Sequence, residues 1–167
     1  MTGGVRSGKS RHALELARTH GEGGVLFAAT AFVSDSEMAL RIERHRAERP
    51  AEWRTVEVIS GGLADALLPD GGEEVLVLDC LGLYVSRRML EGATAAQVAS
   101  EVLETVEAAR NAFELSIFVT NEVGSGLVPD NELGRFFIEA LGAVNRETAA
   151  LADEVSLMVA GIPVRVR

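Results

Sequence analysis

Gly3-Gly4-Val5-Arg6-Ser7-Gly8-Lys9-Ser10 fits G-x-x-x-x-G-K-S/T, the pattern of a phosphate-binding loop. Lys9 is the one lysine among sixteen lysine and arginine residues. Arginine, used everywhere else, forks onto carboxylates and phosphates and is always charged. A lysine at this single position points to a need for a compact ammonium, able to reach between the β- and γ-phosphates. The glycines let backbone N–H groups turn inward, and a helix opening near Gly8 adds its positive end. Ser10 would offer its hydroxyl to Mg²⁺. The other reading is a Gly-rich turn before an arginine-rich helix.

Outward from this loop, short apolar runs alternate with helical patterns. The runs 24–30, 54–58, 75–79 and 116–120 read as strands, and most are continuously apolar. Val155–Val159 and Pro163–Val166 flank Ala160-Gly161-Ile162 as a C-terminal hairpin. Helices are expected over Ser10–Arg18, Asp35–Glu48, Thr94–Phe113 and Asp130–Ala152. Ser34 and Glu37 stand in capping-box spacing at the start of the second. The last should bury Leu133, Phe136, Phe137, Ala140, Leu141 and Val144 on one face. Continuous apolar strands separated by helices predict an α/β fold, a mostly parallel sheet with helices on both faces. Only Met1 and Thr2 precede Gly3. The strand from which a phosphate loop hangs is therefore expected to be truncated, and the sheet incomplete.

The 167 residues predict one domain spanning 1–167. A net charge of −9 argues against a nucleic-acid partner, so a phosphate site must be a local basic pocket on an acidic body. Cys80, the only cysteine, leaves no intrachain disulfide and no cysteine-based zinc site. No apolar run is long enough to cross a bilayer, and the start does not read as a signal peptide, so the cytoplasm is expected.

Asp79 ends an apolar strand downstream of the loop. A carboxylate there holds Mg²⁺ directly or through water, or else caps the following turn. His45 lies in Arg41-Ile42-Glu43-Arg44-His45-Arg46-Ala47-Glu48-Arg49, where Arg41, His45 and Arg49 are spaced to share a helical face. The surrounding arginines favour the neutral, nucleophilic imidazole and could hold a triphosphate. The competing reading is a surface histidine with Glu43 and Glu48 as partners. His12, one turn past the loop, could face phosphates or solvent, and His20 reads as a helix end. Thr120 and Asn121 follow a strand at the edge where doubly wound sheets bind ligands. They could orient a substrate hydroxyl or cap a turn.

These residues, taken jointly, resemble a known family. Thr2–His12 (TGGVRSGKSRH), Glu37–Trp53 (EMALRIERHRAERPAEW), the strand with Asp79, Thr120–Asn131 (TNEVGSGLVPDN) and Ala150–Gly161 (ALADEVSLMVAG) carry the likeness. The chain is similar to the bifunctional adenosylcobinamide kinase / adenosylcobinamide-phosphate guanylyltransferases of cobalamin biosynthesis. It departs from them at its start, and at Asp79, where the family often has glutamate.

The resemblance implies a P-loop NTPase fold with a RecA-like sheet. It implies phosphorylation of adenosylcobinamide by ATP or GTP, then GMP transfer from GTP through a guanylylated histidine, releasing pyrophosphate. His45 matches that covalent histidine. Ala29, Thr30, Ala31, Arg46, Ala47, Glu48, Arg49, Glu57 and Asp79 match positions that contact GTP, beside the loop Gly3–Ser10. Catalysis would then rest on His45 and Lys9, with Mg²⁺ on Ser10 and Asp79, in a homotrimer. The rival expectations are a single-activity P-loop small-molecule kinase and a non-catalytic nucleotide-binding module.

Overall fold

A computed structural model describes residues 1–21, 24–32, 35–60, 62–67 and 72–167. Four strands form a parallel sheet: β2 (Val25–Ala29), β3 (Arg54–Glu57), β4 (Val75–Asp79) and β5 (Leu115–Val119), in the order β3-β2-β4-β5. Their register is even, with Ala29 opposite both Glu57 and Asp79, and Asp79 opposite Val119. The carboxyl ends of all four strands therefore finish at one edge.

The apolar runs are continuous because both faces of the sheet are covered. Val25, Phe27, Ala29, Val75, Val77, Ile117 and Val119 pack under α1 (Lys9–His20) through Ala13, Leu14 and Ala17. Leu26, Ala28, Leu76 and Leu78 point the other way. They meet α4 (Leu81–Leu90), α5 (Ala95–Ala112) and α6 (Glu132–Leu151), with the short α3 (Leu63–Ala66) beside them. Val98, Val102, Val106 and Ala109 form the buried stripe of α5, as their spacing predicts. That helix opens with a complete capping box between Thr94 and Gln97. α4 was not anticipated; its apolar face is short and merges with the strand that precedes it.

The first strand is truncated to two residues, as expected, but it is not absent. Thr2–Gly3 form β1, which pairs in parallel with β6 (Ser156–Val159), and β6 turns back into the antiparallel β7 (Ile162–Arg165). Met1 N donates to Phe118 O, Thr120 N to Met1 O and Glu122 N to Gly3 O, at 2.9, 3.0 and 2.9 Å. These bonds join the two sheets in the order β3-β2-β4-β5-β1-β6-β7. Two residues suffice because neighbours on both sides satisfy their backbone groups.

Two local expectations also change. Leu133 is exposed, since the first turn of α6 projects past the core and burial begins at Ala140, Leu141 and Val144. The helix α2 (Ser36–Ala47) is capped by Asp35, whose side chain accepts from Met38 N at 2.8 Å, while Ser34 lies outside the described residues.

Candidate active site

The phosphate loop follows β1 and is shaped by two glycines. Gly8 adopts φ 95° as the N-cap of α1, a left-handed conformation that disfavours a side chain. A Cβ on Gly3 would stand 2.7 Å from Met158 O and 2.8 Å from Ser7 Oγ, so only hydrogen fits there. The C-terminal hairpin buttresses the loop: Gly161 N donates to Ser7 O at 3.0 Å. Sequence reasoning missed this support. The signal was the Ala160-Gly161 pair, whose φ angles of 50° and 84° make the tight turn.

Lys9 is buried, and its Nζ donates to Gly3 O at 2.8 Å and Gly4 O at 2.7 Å. The ammonium thus lies across the mouth of its own loop. Val5 and Arg6 are exposed at the loop tip, and Ser10 is half-buried in the first turn of α1.

Across from the loop, Asp79 ends β4. Thr30, wholly buried after β2, ties that end down: its hydroxyl donates to Cys80 O and accepts from Cys80 N, while Thr30 N donates to Asp79 O. Burial pushes the Cys80 thiol up to about 11, the Asp79 carboxylate pushes in the same direction, and Lys9 pulls weakly against them. Both the Asp79 and Lys9 charges therefore act on one buried thiol.

Arg49 joins them. Its guanidinium carbon stacks 3.9 Å from the centroid of Phe27. Burial pulls it below the usual arginine range, with the attraction of Asp79 opposing. Its Nε and Nη1 are buried without a hydrogen-bond partner among the described residues. Donors of this kind are costly unless a ligand satisfies them. The expected face shared by Arg41, His45 and Arg49 does not hold, because α2 ends at Ala47 with Glu48 as its C-cap. Arg49 therefore swings beyond the helix onto the sheet, and the side chain of Arg41 lies outside the described residues.

Arg46 is ion-paired to Glu57 at the end of β3. His45 is two-thirds buried, with Nδ1 3.8 Å from Glu48 Oε2, so one of its two expected carboxylate partners is found. Arg18 also anchors this region, donating to Glu48 O at 2.8 Å. Ala29 is buried at the end of β2, and Ala31 is half-buried just beyond Thr30.

His12 lines a cleft beside the loop, and His20 closes α1 as read. Thr120 Oγ1 donates to Asn145 Oδ1 at 2.6 Å, and Asn145 Nδ2 returns to Asn121 O at 2.9 Å. The pair is thus held by α6 through Asn145, which sequence reasoning did not single out. Asn121 Nδ2 also lies close over Gly82 at the start of α4, 3.3 Å from where a Cβ would be.

The donor set fits Mg²⁺ chemically. Ser10 and Asp79 offer hard oxygens, and no group of three or more metal-ligating side chains occurs among the described residues. Mg²⁺ commonly binds in this way, through one or two protein oxygens and the phosphates of a substrate.

Comparison with known proteins gives a consistent picture. Residues 1–166 match the family described as cobinamide kinase / cobinamide phosphate guanyltransferase. The bifunctional adenosylcobalamin biosynthesis protein CobU of Escherichia coli K12 is 37% identical, covering 100% of this chain and 98% of its own. The bifunctional adenosylcobalamin biosynthesis protein CobP of Pseudomonas aeruginosa is 36% identical over 98% of this chain and 93% of its own. Among solved structures, a prototypical ATPase from a bacterial type III secretion system superposes with a TM-score of 0.60 at 13% identity. The match covers 93% of this chain but only 49% of the ATPase. That likeness concerns the fold alone: an α/β ATPase sheet with helices on both faces.

Proposed function

The chain belongs to the cobinamide kinase / cobinamide phosphate guanyltransferase family, and from that premise we propose how its residues divide two reactions. It is a bifunctional enzyme of adenosylcobalamin biosynthesis. It phosphorylates adenosylcobinamide with a nucleoside triphosphate and then transfers GMP from GTP to the new phosphate.

In the kinase step, the backbone of Gly3–Ser10 and the Lys9 ammonium hold the β- and γ-phosphates. Bound Mg²⁺, held by Ser10 and Asp79, would neutralise charge on those oxygens. In the transferase step, His45 attacks the α-phosphorus of GTP. A nitrogen–phosphorus bond forms, the bond from Pα to its bridging oxygen breaks, and pyrophosphate leaves with the electron pair. A phosphate oxygen of adenosylcobinamide phosphate then displaces the histidine, giving adenosylcobinamide-GDP. Two displacements replace one difficult transfer.

The observation that carries this reading is Arg49. Two of its N–H groups are buried and unmatched beside Asp79. An anionic phosphate chain running from the loop toward α2 would satisfy them. Such contacts to a developing charge are worth roughly 2.7–4 kcal/mol each. Arg46, held at Glu57, lies on the same path. Ala29, Thr30, Ala31, Ala47 and Glu48 form the backbone and walls around it.

The chain is further proposed to act in the cytoplasm as a homotrimer. The trimer rests on the family likeness. The compartment fits nucleotide substrates and a chain in which no described helix is long and apolar enough to cross a membrane.

Intact-mass measurement after incubation with GTP and Mg²⁺ tests the reading. The wild type should gain one acid-labile GMP unit. His45→Ala should gain none and keep kinase activity. Equal labelling of both proteins would remove His45 from the mechanism.

A further inference from the structure

The kinase step needs a group that takes a proton. The hydroxyl oxygen of adenosylcobinamide bonds to Pγ, the bond from Pγ to its bridging oxygen breaks, and nucleoside diphosphate leaves with that electron pair. The hydroxyl proton must pass to a base within hydrogen-bond reach of the attacking oxygen. In protein kinases a carboxylate takes that place.

The carboxylates near the edge that carries the phosphate loop divide clearly. Asp79 at the end of β4 is assigned to Mg²⁺, and Glu57 at the end of β3 is ion-paired to Arg46. Glu48, just past α2, stands 3.8 Å from His45 Nδ1. Glu122 is different. It is exposed and follows β5, the strand between β4 and β1. Among the described residues its carboxylate has no ion pair and one hydrogen-bond partner, the Thr2 hydroxyl, 3.5 Å from Oε2. That contact is longer than an ordinary O–H···O bond, so the carboxylate can accept from a better donor.

The backbone sets where Glu122 stands. Glu122 N donates to Gly3 O at 2.9 Å, and the Lys9 ammonium donates to the same oxygen at 2.8 Å. One carbonyl oxygen therefore separates the root of this side chain from the ammonium that grips the β- and γ-phosphates. The segment is also held from behind. Thr120 Oγ1 donates to Asn145 Oδ1 at 2.6 Å, and Asn145 Nδ2 donates to Asn121 O at 2.9 Å, so α6 fixes both residues before Glu122. Thr120 N is tied to Met1 O at 3.0 Å. A group on such a support keeps its geometry while a substrate arrives.

We propose that Glu122 is the proton acceptor of the kinase step, its carboxylate receiving the proton of the adenosylcobinamide hydroxyl as that oxygen attacks Pγ. Being exposed, Glu122 then returns the proton to water. The proposal rests on the two-step reading of the site and adds a residue to its first step alone. Guanylyl transfer has no such need, because its acceptor is already an ionised phosphate.

The test compares wild type with Glu122→Gln and Glu122→Asp, at an exposed position where neither change disturbs packing. Kinase kcat and KM are measured with ATP and adenosylcobinamide. GMP addition from GTP is followed by intact mass, and its transfer is measured with adenosylcobinamide phosphate supplied directly. Glu122→Gln should lower the kinase kcat by about 10²–10⁴, the usual share of a general base, and leave the KM for ATP unchanged. GMP addition and GMP transfer should both run at the wild-type rate. Glu122→Asp keeps a carboxylate and should be a faster kinase than Glu122→Gln. A kinase kcat near the wild-type value in Glu122→Gln, equal rates in the two variants, or a parallel fall in phosphoryl and guanylyl transfer overturns the assignment. A wild type that phosphorylates its substrate but gains no GMP overturns the two-step reading instead, and the kinase rates of the variants still decide the role of Glu122.

Discussion

Thr30 and Cys80 exchange two hydrogen bonds across the ends of β2 and β4. The Thr30 hydroxyl donates to Cys80 O at 2.7 Å and accepts from Cys80 N at 2.8 Å. One side chain thereby fixes the backbone just after Asp79 and sets where that carboxylate stands. Thr30→Val keeps the shape but strands a buried N–H and a buried C=O. At about 1–3 kcal/mol for each of the two unsatisfied groups, the loss should be roughly 2–6 kcal/mol. Urea unfolding midpoints check it, and Thr30→Ser should recover most of the difference.

Lys9 bonds to both Gly3 O and Gly4 O, so its removal affects the shape of the loop as well as its charge. Lys9→Ala should lower both phosphoryl and guanylyl transfer by about 10²–10³, the scale of losing one charge-stabilising donor. Lys9→Arg should not restore them, because a planar fork cannot replace a compact ammonium between two carbonyl oxygens. Steady-state rates for both steps measure this directly.

Neighbouring glycines should behave oppositely. A Cβ at Gly3 meets Met158 O at 2.7 Å, whereas a Cβ at Gly4 meets nothing within 4 Å. Gly3→Ala forces the loop off β6 and should cost about 1–3 kcal/mol, as overpacking does, along with nucleotide affinity. Gly4→Ala should change the melting temperature little. Thermal unfolding and titration with a fluorescent nucleotide distinguish the two.

Cys80 gives a pH signature. Burial raises its thiol to about 11, above the ordinary value of 9.0. The folded chain thus holds this proton more tightly than the unfolded chain does. Its contribution to stability is complete below pH 9 and is lost as pH rises through 9 toward 11. The native protein should resist iodoacetamide at pH 8 and react once unfolded in urea. Cys80→Ala should flatten the alkaline limb of the stability curve.

Glu101 gives the opposite signature in acid. The hydrogen bonds from Arg88 hold its carboxyl below the usual range, and the Tyr84 hydroxyl adds to the effect. Its folded value is depressed, so the stability it contributes is present above the unfolded value and lost as pH falls through the folded one. Glu101→Gln should reduce the acid sensitivity of unfolding, read from denaturant midpoints between pH 3 and 7.

The phosphate loop, the strands β2, β4 and β5, the long helices α5 and α6 and the place of Asp79 at a strand end were all legible in the residue pattern. Each is written in local spacing: glycines and a lysine at fixed offsets, apolar runs buried on both faces, and stripes at helical period. Joint motifs around His45 and Asn121 carried the family. What chain-distant groups do to one another emerged from the folded arrangement alone. Two residues make a strand because β5 and β6 flank them. Arg49 leaves its helical face because α2 ends early and Phe27 offers a ring. Thr30 grips Cys80, fifty residues away, and Gly161 props Ser7 from the opposite end of the chain. Such contacts arise from how the sheet edge closes in space, and no local pattern of residues encodes that closure.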